Sequence, residues 1–208
     1  MKPNNKETDW SQKYRPTHHR DLVLPDPLER QIGSLIERKG GLCMLFFGKP
    51  GTGKTTCAKL INPENTYMIN GTTHNSISDI RMLERTCSSV TLTGERRLVL
   101  IDEADFLSKD AQAALRGIVE SLSVANDFVL TANESHRLSD AIRSRFLPFE
   151  FEFLGSVEFK TRIIKRLAEI ASMEGFPSVE KFRLKDIVNR CFPDIRLMTK
   201  RLQMELLS

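Results

Sequence analysis

No run of apolar residues in this 208-residue chain approaches the ~20 needed to cross a bilayer. The longest, Leu42 to Phe47 and Leu98 to Ile101, are the length of a strand. The first ten residues, Met1 to Trp10, are polar and carry both charge signs, which excludes a signal peptide and makes the cytoplasm the expected compartment. Cysteine is sparse: Cys43, Cys57, Cys87 and Cys191 are widely scattered, and none forms the C-x-x-C pair of a structural zinc site. In a reducing compartment they are expected to be buried thiols. Internal repeats and low-complexity stretches are also missing. What remains is an ordinary globular composition, 40% hydrophobic and 28% charged. The net charge of +4 hints at a polyanionic partner without identifying one.

The pattern of apolar residues divides the chain. After Pro25 and Pro27, the spacing predicts a helix from Leu28 to Arg38, stopped by Gly40 and Gly41. The run Leu42 to Phe47 then leads through a glycine-rich turn into a helix beginning near Lys54, the signature of a parallel strand covered on both faces. Leu98 to Ile101 and Phe128 to Thr131 read as two more such strands, Tyr67 to Ile69 as a shorter one, and Phe149 to Phe153 as a fifth. Between them, Ile77, Ile80, Leu83 and Cys87 share one helical face, and Ala111, Leu115, Ile118 and Leu122 another. Alternating strands and helices predict a three-layer α/β domain over residues 1–154. Beyond Gly155 the pattern is helical only. Ser156 is a plausible N-cap and Gly175 a stop, with shorter helices at Leu184 to Arg190 and Ile195 to Leu207. A small all-helical domain over residues 155–208 is expected to pack on the first.

Gly48-Lys49-Pro50-Gly51-Thr52-Gly53-Lys54-Thr55 fits G-x-x-x-x-G-K-[ST] between a strand and a helix, which is the context a phosphate-binding loop requires. Its backbone N–H groups, those of Gly48 and, beyond Pro50, of Gly51, Thr52, Gly53 and Thr56 among them, can converge on phosphates at the positive end of a helix. Lys54 is placed for the β- and γ-phosphates of ATP, and the Thr55 hydroxyl for Mg²⁺. Asp102, at the carboxyl end of a buried strand, can hold the same metal, and Glu103 can polarise the attacking water. Such a carboxylate pair points to hydrolysis, because binding alone does not require Glu103. Asp105 fits a structural role such as helix capping. Asn133, ending the next strand, suits either a γ-phosphate contact or a turn.

The tags around this loop resemble those of clamp-loader ATPases of the AAA+ class, of the replication factor C and T4-like phage kind. Gln12-Lys13-Tyr14-Arg15-Pro16 is similar to their E-K-Y-R-P box, with Gln for Glu. Asn70-Gly71 through Ile80-Arg81, Ala111 to Arg116 (Q-x-A-L-R), Ser144-Arg145-Phe146 (S-R-C, with Phe for Cys) and Pro193-Asp194-Ile195-Arg196 follow in the family's order. The resemblance implies a P-loop core followed by a helical lid. It also implies that Tyr14, Arg15 and Pro16 frame adenine, that Asn133 and Arg196 sense the γ-phosphate, and that Arg145 acts as an arginine finger on ATP held by a neighbouring subunit. Arginine suits that task because it stays charged and offers a planar fork to phosphate. Arg143, two residues away, is its nearest rival.

The resemblance further implies that Ile77, Arg81, Gln112 and Arg116 face duplex DNA inside a ring, with Gln112 coupling that helix to the Asp102 loop. The implied partners are primer–template DNA, a sliding clamp, and copies of this chain or other loader subunits. Membranes are not among them. Some features depart from the family. Relatives continue into a helical collar domain, expected to be absent because the sequence stops at Ser208, and Gly117 stands where many carry a second arginine. The cysteine-rich insert of bacterial loaders is missing, which favours the phage-like kind and, with it, a host cytoplasm. Two other readings stay open at this point. One is a different AAA+ DNA-remodelling ATPase, such as a transposition or recombination helper. The other is a scaffold subunit that binds ATP without turnover.

Overall fold

The computed structural model describes residues 9–37, 41–88, 96–153 and 155–208. It divides into two compact units, one of residues 26–49 and 54–152, the other of residues 1–25, 50–53 and 153–208. Among the described residues no helix is long and apolar enough to cross a membrane.

The first unit is a five-stranded sheet in the order β2-β3-β4-β1-β5, parallel throughout. Its strands are β1 (Cys43–Phe47), β2 (Thr66–Asn70), β3 (Arg97–Asp102), β4 (Asn126–Ala132) and β5 (Leu147–Glu150). Every residue of β4 is buried, as is all of β3 after Arg97, which is why these strands read as continuous apolar runs. The flanking helices are α2 (Asp26–Glu37), α3 (Lys54–Lys59), α4 (Ile77–Ser88), α5 (Lys109–Leu122) and α6 (Asp140–Arg143). The core gathers Leu45, Ile80, Leu83, Val99, Ile101, Leu115, Phe128 and Leu130.

Local chemistry explains most boundaries. Helix α2 begins two residues before the expected Leu28 and takes in Pro27, whose missing N–H is not needed in a first turn. Its expected end at Arg38 and Gly40 lies outside the described residues. Helix α4 is opened by a reciprocal cap: the Ser76 N–H donates to Asp79 Oδ2 at 3.0 Å, and the Asp79 N–H to Ser76 Oγ at 3.3 Å. Ser108 caps α5 by accepting from the Ala111 N–H at 3.1 Å. The fifth strand, expected over Phe149 to Phe153, pairs with β1 from Leu147 to Glu150 instead. Phe149, Phe151 and Phe153 are all buried, so their alternation records burial, and only the first of them lies in the ladder.

The second unit consists of α1 (Trp10–Lys13), α7 (Val157–Met173), α8 (Lys181–Cys191) and α9 (Ile195–Leu207), with the loop tip Pro50–Gly53. Its buried apolar residues include Phe159, Ile163, Leu167, Ile170, Leu184, Ile187, Val188, Met198 and Leu202. Ser156 caps α7 through the Phe159 N–H at 3.2 Å, and Gly175 follows its end at φ 91°. The N-terminal segment groups with these helices, an association that an N-terminal core of residues 1–154 does not anticipate. Trp10 is buried here and its N–H donates to Gln203 Oε1 at 2.9 Å, while Lys200 pairs with Asp9 at 3.2 Å.

Of the four thiols, Cys57, Cys87 and Cys191 are buried, whereas Cys43 at the start of β1 is only partly so.

Candidate active site

The parallel register of β1, β3 and β4 brings three chain segments to one sheet edge. Phe47 stands beside Ala132 and Ile101 beside Leu130, so the residues that follow each strand emerge together at the carboxyl ends. From β1 come Gly48 and Lys49, then α3 with Lys54, Thr55 and Thr56. From β3 come Asp102 and Glu103, and from β4 Thr131 and Asn133.

Lys54 is buried, and its ammonium donates to Gly48 O at 2.6 Å, Lys49 O at 2.8 Å and Asn133 Oδ1 at 3.0 Å. Asn133 therefore turns its amide oxygen toward the lysine. Asp102 Oδ1 accepts from Thr55 Oγ1 and from Thr131 Oγ1, each at 2.6 Å. Hard oxygen donors so close together suit a small divalent cation. Among the described residues no cluster of three or more His, Cys, Asp or Glu could hold a metal. Mg²⁺ at Thr55 and Asp102 would thus take most of its shell from nucleotide and water, as it commonly does.

Glu103 adopts the left-handed conformation, φ 56° and ψ 44°, and its N–H donates to Thr131 Oγ1 at 2.9 Å. Beneath this turn runs Gly71, whose N–H donates to Asp102 O at 2.7 Å. A Cβ at Gly71 would come within 2.4 Å of the Glu103 carbonyl oxygen, so a larger residue would push the turn away. Asp105 has the structural role expected of it, but not by capping its own short 3-10 turn. Its Oδ2 accepts instead from the N–H groups of Asn133 at 3.1 Å and Glu134 at 3.3 Å, fixing the backbone that carries the asparagine.

In the helical unit, the loop tip meets the start of α9. The Ile195 N–H donates to Gly51 O at 3.1 Å, and Asp194 caps the helix by accepting from the Leu197 N–H at 2.8 Å. Gly51 has φ 74°, and a Cβ there would fall 1.9 Å from Asp194 Oδ1, so a larger residue would be strained and would displace the Asp194 cap. Thr52, which is buried, and Gly53 complete the tip after Pro50, and Arg196 beside it is exposed. Tyr14 gives its hydroxyl to Glu174 Oε1 at 2.6 Å, which also receives Lys13 Nζ at 2.6 Å. These donors, Lys13 first, hold the Glu174 carboxyl below its usual range, while burial pushes the Tyr14 phenol up. Arg15 and Pro16, which follow directly, are half-buried.

Arg145 follows α6. Its guanidinium donates to Ala141 O at 2.7 Å and closely to Glu120 on α5. Arg143 pairs with Asp140 of its own helix. Arg116 also approaches Glu120, at 3.6 Å, so one carboxylate serves two arginines, which hold it below its usual range, Arg145 first. Ile77 and Arg81 line an open groove of about 400 Å³ between α4 and α5, with Ala113, Ala114 and Gly117 on the opposite wall and Glu84 and Asp110 adding negative charge.

Gln112 is not a surface residue, contrary to the expectation that it faces DNA. It is buried, its Nε2 donates to Leu107 O and Arg137 O at 3.2 Å each, and its Oε1 accepts from the Ser139 N–H at 2.8 Å. It ties α5 to the segment following Asp102 and to the one preceding α6. Sequence reasoning missed Thr131 and Glu120 as site residues. Neither lies in a recognisable motif, and only the strand register and the α5–α6 packing reveal their partners.

The chain is similar to several known proteins. The chain is 31% identical over 206 residues to a replication factor C small subunit of Methanosphaera stadtmanae, covering 95% of this chain and 63% of that protein. It is 32% identical over 179 residues to a replication factor C small subunit 1 of Pyrobaculum arsenaticum, covering 81% of this chain and 53% of the relative. The chain thus spans little more than half to under two thirds of the length of these relatives. Among solved structures, a point mutant of Thermotoga maritima RuvB shares the fold with a TM-score of 0.75 at 21% identity, covering 92% of this chain and 65% of that one. The ATPase family associated with various cellular activities (AAA) matches residues 44–153, more than half of the sequence, and it is to this family that the chain belongs.

Proposed function

We propose that this chain is the ATPase subunit of a DNA sliding-clamp loader, binding ATP to open a clamp on primer–template DNA and hydrolysing it to let both go. The observation that carries the reading is the array at the sheet edge: Lys54 against Asn133, and Thr55 against Asp102, with Glu103 beside them. Similarity to replication factor C small subunits over nearly the whole chain supports the assignment to loaders.

In this reading the ammonium of Lys54 exchanges its backbone carbonyls for the β- and γ-phosphates. Thr55 and Asp102 would hold Mg²⁺, which would supply Lewis-acid withdrawal of charge from the phosphate oxygens. Glu103 orients and polarises the attacking water, and Asn133 fixes the γ-phosphate from the far side. Gly48 and Gly51 to Thr56 supply backbone donors with Pro50 shaping the loop between them, Tyr14, Arg15 and Pro16 frame the adenine, and Arg196 adds a second phosphate sensor. Arg145 completes a neighbouring subunit's site, so the working unit is a ring of copies or of related subunits. Arg81 and Arg116 contact the DNA backbone, whose phosphates carry position and no sequence.

The test is ATP turnover with primed DNA, with a ring-shaped sliding clamp, and with both. Stimulation greatest with both together is expected. A response to DNA that the clamp does not change would assign the chain to the DNA-remodelling ATPases instead, and no turnover under any condition would make it a scaffold.

A further inference from the structure

Thr131 is 1% exposed and lies inside the sheet, where no ligand can reach it. Its register explains its partners: Ile101 stands opposite Leu130, so the next residues along the two strands, Asp102 and Thr131, come side by side. A threonine hydroxyl has one proton and two lone pairs. Here the proton goes to Asp102 Oδ1 at 2.6 Å, and a lone pair receives the Glu103 N–H at 2.9 Å. The same Asp102 oxygen takes the Thr55 hydroxyl from the other side, also at 2.6 Å. One chain of hydrogen bonds therefore runs from Thr55 through Asp102 and Thr131 to the backbone of Glu103.

The last link has a particular burden. Glu103 is the only described residue other than glycine with positive φ, a conformation that costs a side-chain-bearing residue about 1–2 kcal/mol. That turn breaks the extended line of β3 directly after Asp102, and the hydroxyl of Thr131 holds it through the Glu103 amide. Oriented carboxylates lose activity steeply with displacement, a misplacement of ~1 Å costing as much as ~10²-fold.

We infer that Thr131 is a positioning residue for hydrolysis: it fixes the left-handed turn at Glu103 and ties that turn to the metal-side carboxylate Asp102. This rests on the reading of Glu103 as the group that polarises water.

The test compares Thr131→Val, which keeps shape but not the hydroxyl, Thr131→Ala, which removes it without crowding, and Thr131→Ser, which restores it. Single-turnover hydrolysis and ATP affinity are measured under the conditions that give the unsubstituted chain its highest rate. Valine and alanine should each lower the hydrolysis rate by ~10- to 100-fold at nearly unchanged affinity, and serine should recover most of the loss. A Glu103→Gln background separates positioning from general damage. Thr131→Val added to it should cost under about threefold more, because groups acting as a unit are not additive. Wild-type rates in the valine and alanine variants, or a full additional loss in the Glu103→Gln background, would overturn the inference. If Glu103→Gln itself turned over ATP normally, the reading beneath the inference would fail instead.

Discussion

Arg145 spends its guanidinium on Glu120 of the same chain, while Glu120 also faces Arg116 one helical turn earlier on α5. A finger that serves a neighbour's nucleotide must leave this carboxylate when the neighbour docks. Both partners are partly solvated, so the pair contributes little to folding, and Glu120→Gln should leave the melting temperature nearly unchanged. With its competitor gone, Arg145 should reach the neighbouring site more readily, and the protein concentration giving half-maximal turnover should fall. A rise in that concentration would mean that Glu120 presents the finger instead of restraining it.

Mixing variants tests whether the site is shared. Arg145→Ala lacks the finger and Lys54→Ala lacks the phosphate cation, so each alone should be nearly inactive, an arginine finger being worth ~10³–10⁵ in turnover. A mixture should regain part of the rate at junctions that join an intact site to an intact finger. No recovery at any ratio, with co-assembly demonstrated, would place catalysis within one chain.

Lys54→Ala and Glu103→Gln should differ from one another. The first removes the main cation facing the phosphates and should abolish tight ATP binding. The second should bind normally and lose ~10²–10⁴-fold in turnover. Equilibrium binding with a fluorescent nucleotide, read beside steady-state rates, distinguishes them.

On DNA, Arg81→Ala and Arg116→Ala should each weaken duplex binding evenly across sequences and reduce its salt slope by about one charge. Gln112→Ala should behave otherwise. Being buried, it should leave the salt slope alone and destabilise the fold by about 1–3 kcal/mol through its orphaned backbone partners. Binding titrations at several salt concentrations, with thermal melts, check both.

Glu174 predicts an acid response. Its carboxyl is depressed in the folded chain by Lys13 and Tyr14, so its stabilisation is complete above the unfolded value of ~4.3 and is lost as pH falls through the folded one. Glu174→Gln should be less stable than the parent at neutral pH and should lose less on acidification through that window. Urea midpoints across the range would reveal parallel curves if the contact contributes nothing.

Much of this was legible from the residues alone, because the signals were local. Buried parallel strands announce themselves as apolar runs, and the phosphate loop fixes glycine, lysine and threonine at rigid spacing. Asp102 and Glu103 were visible because they end such a strand. What escaped notice depends on partners far along the chain. The N-terminal turn gives no periodicity over four residues, yet Trp10 bonds to Gln203, 193 positions away. Strand β5 begins with exposed Leu147 and Pro148, and an edge strand with proline looks like a loop. Thr131 is an ordinary strand residue until the register sets it beside Asp102, and Gln112 shares its helix face with exposed Arg116 and Glu120 in the sequence pattern, its three bonds going to residues outside α5.

Among the described residues, nothing beyond its own helix backbone and chain neighbours lies within 4 Å of where a Cβ at Gly117 would sit, although it lies in the interior of α5. Packing gives no reason for a glycine there, and relative to alanine it weakens a helix by about 1 kcal/mol. The same missing side chain widens the groove that Ile77 and Arg81 line. Rigidity of α5 and width of that channel are thus set against each other at a single position. A variant hardened against heat at residue 117 would also be a narrower one, and any engineering of this chain for robustness has to choose which of the two to keep.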